Sequence, residues 1–136
     1  MDRHGLFRTR IHPRFCETDA MGHIGNTAVS AWLLEGREPV LRLFVPDLDF
    51  RKGSLVVVRT EIDFMGELLF GSDVEVTTSL EKIGDASLVV LQEIRQDESL
   101  CCKARTVMVN FDPATRASRP IPASVREQLE EHRVAA

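Results

Sequence analysis

The chain has 136 residues, 43% hydrophobic and 28% charged, a balance that suits one folded domain and excludes a disordered or low-complexity polymer. With 21 acidic against 17 basic side chains the formal net charge is −4, so no general nucleic-acid footprint is expected. No apolar run reaches the roughly 20 residues of a membrane span, and the opening MDRHGLFRTRIHPRF carries charges where an export signal needs an apolar core, so a cytoplasmic location is expected.

The first element is expected over residues 6–16. Phe7, Thr9, Ile11 and Phe15 alternate with Arg8, Arg10, His12 and Arg14, a period-two strand whose Pro13 marks an edge or bulge. A loop leads to NTAVSAWLLEGREPVLRLF, where Val29, Trp32, Leu33, Gly36, Val40 and Leu43 recur at three- and four-residue steps on one helix face. Asn26 or Thr27 suits the N-cap, and Pro39 predicts a kink or break near residues 35–38. Glu35, Arg37 and Arg42 read as a charged helix face or a dimer contact.

Four strands follow. Val56, Val58, Thr60, Ile62 and Phe64 form one face of the first; Val74, Val76, Thr78 and Leu80 define the second. Residues 87–95 and 101–111 are the third and fourth, parted by a QDES turn, and residues 122–133 read as a short polar helix. One strand, one largely apolar helix and four long strands make an α+β order, a single domain over 1–136. A curved five-stranded antiparallel sheet wrapped around one long central helix buries that helix best. Its open edges predict a homodimer or homotetramer.

Cys16, Cys101 and Cys102 have no CxxC spacing and read as reduced thiols. His4, His12, His23 and His132 lack HExxH or other ligand spacing, so neither a metal nor a redox cofactor is expected.

The chemistry concentrates in CETDAMGHIGN, residues 16–26. A strand delivers Asp19 to a loop that Gly22 and Gly25 let turn tightly, and a helix with unpaired N–H groups begins immediately after. A carboxylate beside such amides suits acyl transfer: the amides hold a developing oxyanion while the carboxylate attacks or activates water. His23, on the same loop, is a proton shuttle or a loop organiser.

The run RFCETDAMGHIGNTAVSAWLLEGR, residues 14–37, resembles the hot-dog-fold acyl-CoA thioesterases of the 4-hydroxybenzoyl-CoA thioesterase class. Their T-D-x-x-G-H-x-N-N pattern is matched at Thr18, Asp19, Gly22, His23 and Asn26, and RTEIDF and KIGDASLVVLQEI are similar too. The resemblance implies a hot-dog fold, Asp19 as catalytic carboxylate, the backbone N–H near Asn26 as oxyanion donor, and pantetheine running between two subunits. Gly25 replaces the first Asn of the pattern, and Val29 and Trp32 stand where tyrosines are common, which implies an apolar acyl channel and a short- to medium-chain aliphatic acyl-CoA. Arg59, Lys82 and Lys103 are candidate phosphate contacts, and Ser87 a candidate nucleotide contact. Two rival functions remain on the same fold: a hydratase or dehydratase, and a non-catalytic acyl-thioester or acyl-carrier-protein binding module.

Overall fold

The structure, a computed structural model, describes residues 5–134; His4 lies outside them. Eight elements follow in chain order: β1 (Phe7–Ile11), α1 (Asn26–Phe44), β2 (Ser54–Phe64), β3 (Val74–Ile83), β4 (Ser87–Gln96), β5 (Ser99–Asp112), β6 (Ala117–Ser118) and α2 (Ala123–Glu130). The strands form one antiparallel sheet ordered β1-β3-β4-β5-β2, with β6 paired to the end of β5. The sheet therefore has six strands rather than the five expected. The sixth has two residues, too few to show any periodicity.

The first strand is also shorter than its pattern suggests. It stops at Ile11, because Pro13 has no N–H to give the ladder, and residues Phe15–Glu17 close a single 3-10 turn. That turn brings the chain back under the start of α1. There Glu17 accepts the backbone N–H of Arg14 at 2.8 Å and the indole N–H of Trp32 at 2.9 Å.

Helix α1 runs unbroken through Pro39, so the expected kink or break does not occur. The carbonyl that loses its donor belongs to Glu35, an exposed residue, and water can satisfy it. Gly25 is the N-cap rather than Asn26 or Thr27, and no side chain caps the helix. The buried stripe of Val29, Trp32, Leu33, Gly36 and Val40 lies on the inner sheet face. At Gly36 the two layers nearly touch: a Cβ there would stand 2.6 Å from Val76 Cγ1 and 2.9 Å from Gln92 Nε2. Only glycine allows that approach.

Around α1 the core falls into two clusters. One gathers Ile24, Val29, Trp32, Leu33, Val74 and Ile94; the other gathers Val40, Leu80, Leu88, Val90, Met108 and Leu129 of α2. Each fully buried aliphatic side chain contributes about 1.5–3 kcal/mol. Between the clusters runs a buried polar belt. Thr78 Oγ1 donates to the Gly36 carbonyl at 2.8 Å, and Gln92 Nε2 donates to the Leu33 carbonyl at 2.8 Å and to Thr78 Oγ1 at 3.2 Å.

β2 departs from its predicted alternation. Its register with β5 slips between Val57 and Arg59, so Val58 bulges out and the faces exchange there. Val57 lies opposite the buried Met108, and Thr60 opposite the buried Thr106. The inner-facing set is thus Leu55, Val57, Thr60, Ile62 and Phe64, not one containing Val56 and Val58. At the other side of the sheet, residues 132–134 extend the β1 edge, with Leu80 N–H donating to the His132 carbonyl and Val134 N–H to the Leu80 carbonyl, both at 2.9 Å. β2 is left as a long outer strand exposing Val56, Val57 and Val58.

Candidate active site

Asp19 sits in a loop strapped to the segment after β2. Ile24 N–H donates to the Leu68 carbonyl at 2.8 Å and Phe70 N–H to the Gly22 carbonyl at 3.1 Å. His23 and Leu69 pair as an isolated antiparallel bridge. Leu69 is held in turn by the carboxamide of Gln96 at the end of β4. Gly22 takes φ +79°, a left-handed conformation that a side chain would strain. Gly25, at φ −71°, needs no such freedom, contrary to the expectation that both glycines shape the turn.

Within this frame one oxygen of Asp19 is occupied and the other is open. Oδ1 accepts the backbone N–H of Met21 at 2.8 Å and of His23 at 3.0 Å. Oδ2 faces His23 Nδ1 at 4.0 Å, and the Asp19 side chain is 51% exposed. The Met21 N–H, against the opposing effect of burial and helped by the N–H of His23 and the nearby imidazole, holds the carboxyl below its usual range. It is therefore ionised at neutral pH. Burial pushes the neighbouring Glu17 carboxyl up, but the hydrogen bonds from Arg14 and Trp32 outweigh this and leave it lowered as well.

Helix α1 begins against the 3-10 turn, with Gly25 N–H donating to the Glu17 carbonyl at 3.0 Å. The Gly25 carbonyl accepts Ala28 N–H at 3.1 Å and Val29 N–H at 3.4 Å, while the N–H groups of Asn26 and Thr27 have no acceptor among the described residues. Two free amides at the positive end of a helix dipole thus stand on the same short loop as an ionised carboxylate. His23 Nε2 lies 3.6 Å from Glu67 Oε1, so the imidazole is set between two carboxylates.

Of the sequence-derived candidates, Asp19, His23, Gly25 and Asn26 come together here. Val29 and Trp32, 1% and 3% exposed, belong to the core cluster beneath the loop. The remaining four stand apart from it in this chain. Arg59 pairs with Glu61 at 3.2 Å on the outer face of β2. Lys103 lines an outer-face cavity of about 440 Å³ with Asp63, Glu93 and Arg105. Lys82 and Ser87 flank the β3–β4 turn, whereas the Asp19 loop lies near the opposite end of that hairpin, at Val74 and Gln96. Eight residues of strand rise, about 26 Å, separate those ends. Glu35 occupies the α1 face toward β1, in a groove with Arg10, Arg14 and Trp32, away from Asn26.

Sequence reasoning did not single out Glu17, Glu67 or Gln96. For Gln96 a signal existed: residues 88, 90, 92, 94 and 96 all face inward, and the two glutamines break an otherwise apolar row. Exposed apolar side chains border the loop, with Phe15 and Phe70 in edge contact at 5.9 Å and Met21, Phe64 and Met65 open to solvent.

One short loop thus carries both the ionised carboxylate of Asp19 and the free amides that begin α1. Residues 13–129 match the family model of the thioesterase-like superfamily. A predicted thioesterase from Bacillus stearothermophilus is 42% identical, with a TM-score of 0.93 over 96% of this chain and 98% of its own. A thioesterase from Thermus thermophilus, solved with coenzyme A and Zn, is 25% identical, with a TM-score of 0.81 over 90% and 95% of the two chains. A 1,4-dihydroxy-2-naphthoyl-CoA thioesterase from Synechocystis shares the fold at 21% identity, with a TM-score of 0.78 over 92% and 96%. No curated protein matches the chain. The chain belongs to the thioesterase-like superfamily, and its class of activity is thioester hydrolysis. No helix among the described residues is long and apolar enough to cross a membrane.

Proposed function

We propose that the protein hydrolyses an acyl-CoA thioester to the free acid and coenzyme A, with Asp19 as the reacting carboxylate. The observation that carries this reading is the division of labour on Asp19: two backbone N–H groups hold Oδ1 and leave Oδ2 open, on the loop that leads into the unpaired amides of α1. A thioester carbonyl accepting the N–H of Asn26 or Thr27 presents its carbon to Oδ2 or to a water that Oδ2 orients. As the tetrahedral centre forms, its oxyanion gains from amides already aimed and unpaired, and a single such donor is worth about 10²–10³ in rate. Collapse expels the coenzyme A sulfur, which takes up a proton, and water supplies the second oxygen of the acid. Asp19 serves either by direct attack through a mixed anhydride or as the base for water; both use the same geometry.

The acyl group is aliphatic and of short to medium length in this reading, because the exposed side chains bordering the loop, Met21, Phe64 and Met65, are apolar and offer no hydroxyl. Coenzyme A is supported as the thiol by the 25%-identical relative solved with it. The working unit is a homodimer joined along β2, whose exposed Val56–Val58 edge and nearby Phe64 and Met65 leave a large apolar strip for a second copy. A partner strand there would cover this strip and bring its own Arg59 or Lys103 toward the substrate.

Release of free thiol from a panel of acyl-CoAs of increasing length, alongside aryl-CoAs, tests this reading. Turnover should rise with chain length, by up to about 0.8 kcal/mol for each buried methylene, until the channel is filled. A clear preference for hydroxylated aryl thioesters, or for acyl carrier protein over coenzyme A thioesters, would contradict it.

A further inference from the structure

Thioester cleavage leaves one charge in the core unexplained. Arg37 on α1 is only 8% exposed. Its Nη1 donates to the neutral Gln92 Oε1 at 3.2 Å, and its Nε is the one buried side-chain polar atom without a partner among the described residues. The sequence suggests a charged outer face for this residue, and the structure instead buries it in the polar belt. No ion pair to Arg37 is formed among the described residues, although a buried cation without a counter-charge is strongly disfavoured. Burial pulls its pKa below the ordinary arginine value, yet a guanidinium stays charged at any physiological pH.

The position of Arg37 gives this charge a direction. Ser30 and Arg37 lie four and eleven residues beyond Asn26, so all three share one helix face. Trp32, five residues before Arg37, turns toward β1 and Glu17; a further five residues rotate the helix by about 140°, toward β5 and β2. On that side the hydroxyls of Thr60 on β2 and Thr106 on β5 lie 3.4 Å apart, and Leu34 of α1 is 54% exposed. Gln92 bonds both Arg37 and the Leu33 carbonyl, which sets the guanidinium near the level of Leu33. Seven residues of helix, about 10 Å, therefore separate it from the Asn26 amide. An extended acyl chain of medium length spans that distance.

We propose that Arg37 is a specificity determinant at the far end of the acyl channel, and that the preferred acyl group ends in a carboxylate: a dicarboxylic acid held as its mono-thioester with coenzyme A. This rests on the reading of Asp19 and the Asn26 amide as the reacting centre. The middle of such a chain is aliphatic and suits the apolar walls. Its terminal carboxylate supplies the counter-charge that none of the described residues provides, and Arg37 offers it a fork of donors.

The experiment compares suberyl-CoA, bearing one free carboxylate, with octanoyl-CoA of equal length. Thiol release gives kcat/KM for each, and calorimetry gives Kd for the corresponding non-hydrolysable thioethers. Wild type should favour the carboxylate ligand by about tenfold to hundredfold in both, the range of a charge-assisted hydrogen bond. Arg37→Met should lower that ratio to one or below, and Arg37→Lys, which keeps the charge, should retain part of it. Equal or better use of the uncharged chain by wild type overturns the proposal whether or not the variants fold. So does a preference that survives Arg37→Met. If neither thioester is hydrolysed while the thioethers keep the preference, the reading of Asp19 fails and that of Arg37 stands.

Discussion

The carboxamide of Gln96 holds both backbone polar groups of Leu69, accepting its N–H at 2.9 Å and donating to its carbonyl at 2.7 Å. It also donates to the Ser72 carbonyl at 2.9 Å, so one side chain at the end of β4 fixes the strand against which the His23 loop is paired. Gln96→Ala should lower stability by about 1–3 kcal/mol, because it removes three hydrogen bonds made by one buried side chain. Turnover should fall at least about tenfold, since a displacement near an ångström is enough to misalign a reacting group. Denaturant unfolding and thiol release measure the two effects separately; an unchanged kcat would mean that Leu69 does not position the loop.

Gly36 sets the spacing between helix and sheet. Alanine there gains up to about 1 kcal/mol of helix propensity, but its methyl would stand 2.6 Å from Val76 Cγ1, an overlap that costs about 1–3 kcal/mol. Overpacking should win. A lower midpoint in urea for Gly36→Ala is expected, and a raised midpoint would show that the layers separate freely.

The thiols should behave very differently. Cys16 is exposed, whereas burial, with the neighbouring Cys101 and Asp63, pushes the Cys102 thiol up to about 11. Native protein should react with a maleimide at Cys16 alone near neutral pH, as peptide mapping can show. The raised value also has a sign for stability. The folded state favours the protonated thiol, so this contribution is complete below the unfolded-state pKa, about 8.5, and is lost as pH rises toward 11. Cys102→Ala should flatten that part of the stability profile while lowering its plateau.

Much of this architecture was legible from local patterns. Periodicity located the long helix and the four long strands, because each buries one face and repeats its apolar residues accordingly. Thr18, Asp19, Gly22, His23 and Asn26 marked the candidate loop because their order is tied to a strand, a tight turn and a helix start. What stayed hidden depends on partners distant in sequence. The Val58 bulge is decided by pairing with β5, and the continuity of α1 at Pro39 by the exposure of the Glu35 carbonyl. The burial of Arg37 depends on Gln92, 55 positions away, and the hold on Leu69 depends on Gln96, 27 positions away. No periodicity within a single segment reports such contacts.

The dimer proposed along β2 gives a further test. Val58 projects from the strand edge, and a lysine there would put a charge into the strip that a second copy covers. Val58→Lys should shift the protein toward monomer by light scattering and lose activity in parallel. An Asp19→Asn subunit mixed with a subunit lacking its coenzyme A contacts should recover part of the wild-type rate if each site draws on both chains. A fully active monomer would remove the shared site from the account.

The central claim is that Asp19 carries the chemistry, and thiol release from one acyl-CoA by wild type and Asp19→Asn, measured across pH, tests it most directly. The carboxylate form is the active one and its pKa is lowered, so the wild-type rate should stay flat from neutral pH through the ordinary aspartate range and fall only below it. Asp19→Asn keeps the shape of the side chain and should lower kcat by about 10²–10⁴ at every pH, with an unchanged fold by circular dichroism. A variant rate within threefold of wild type would contradict the account.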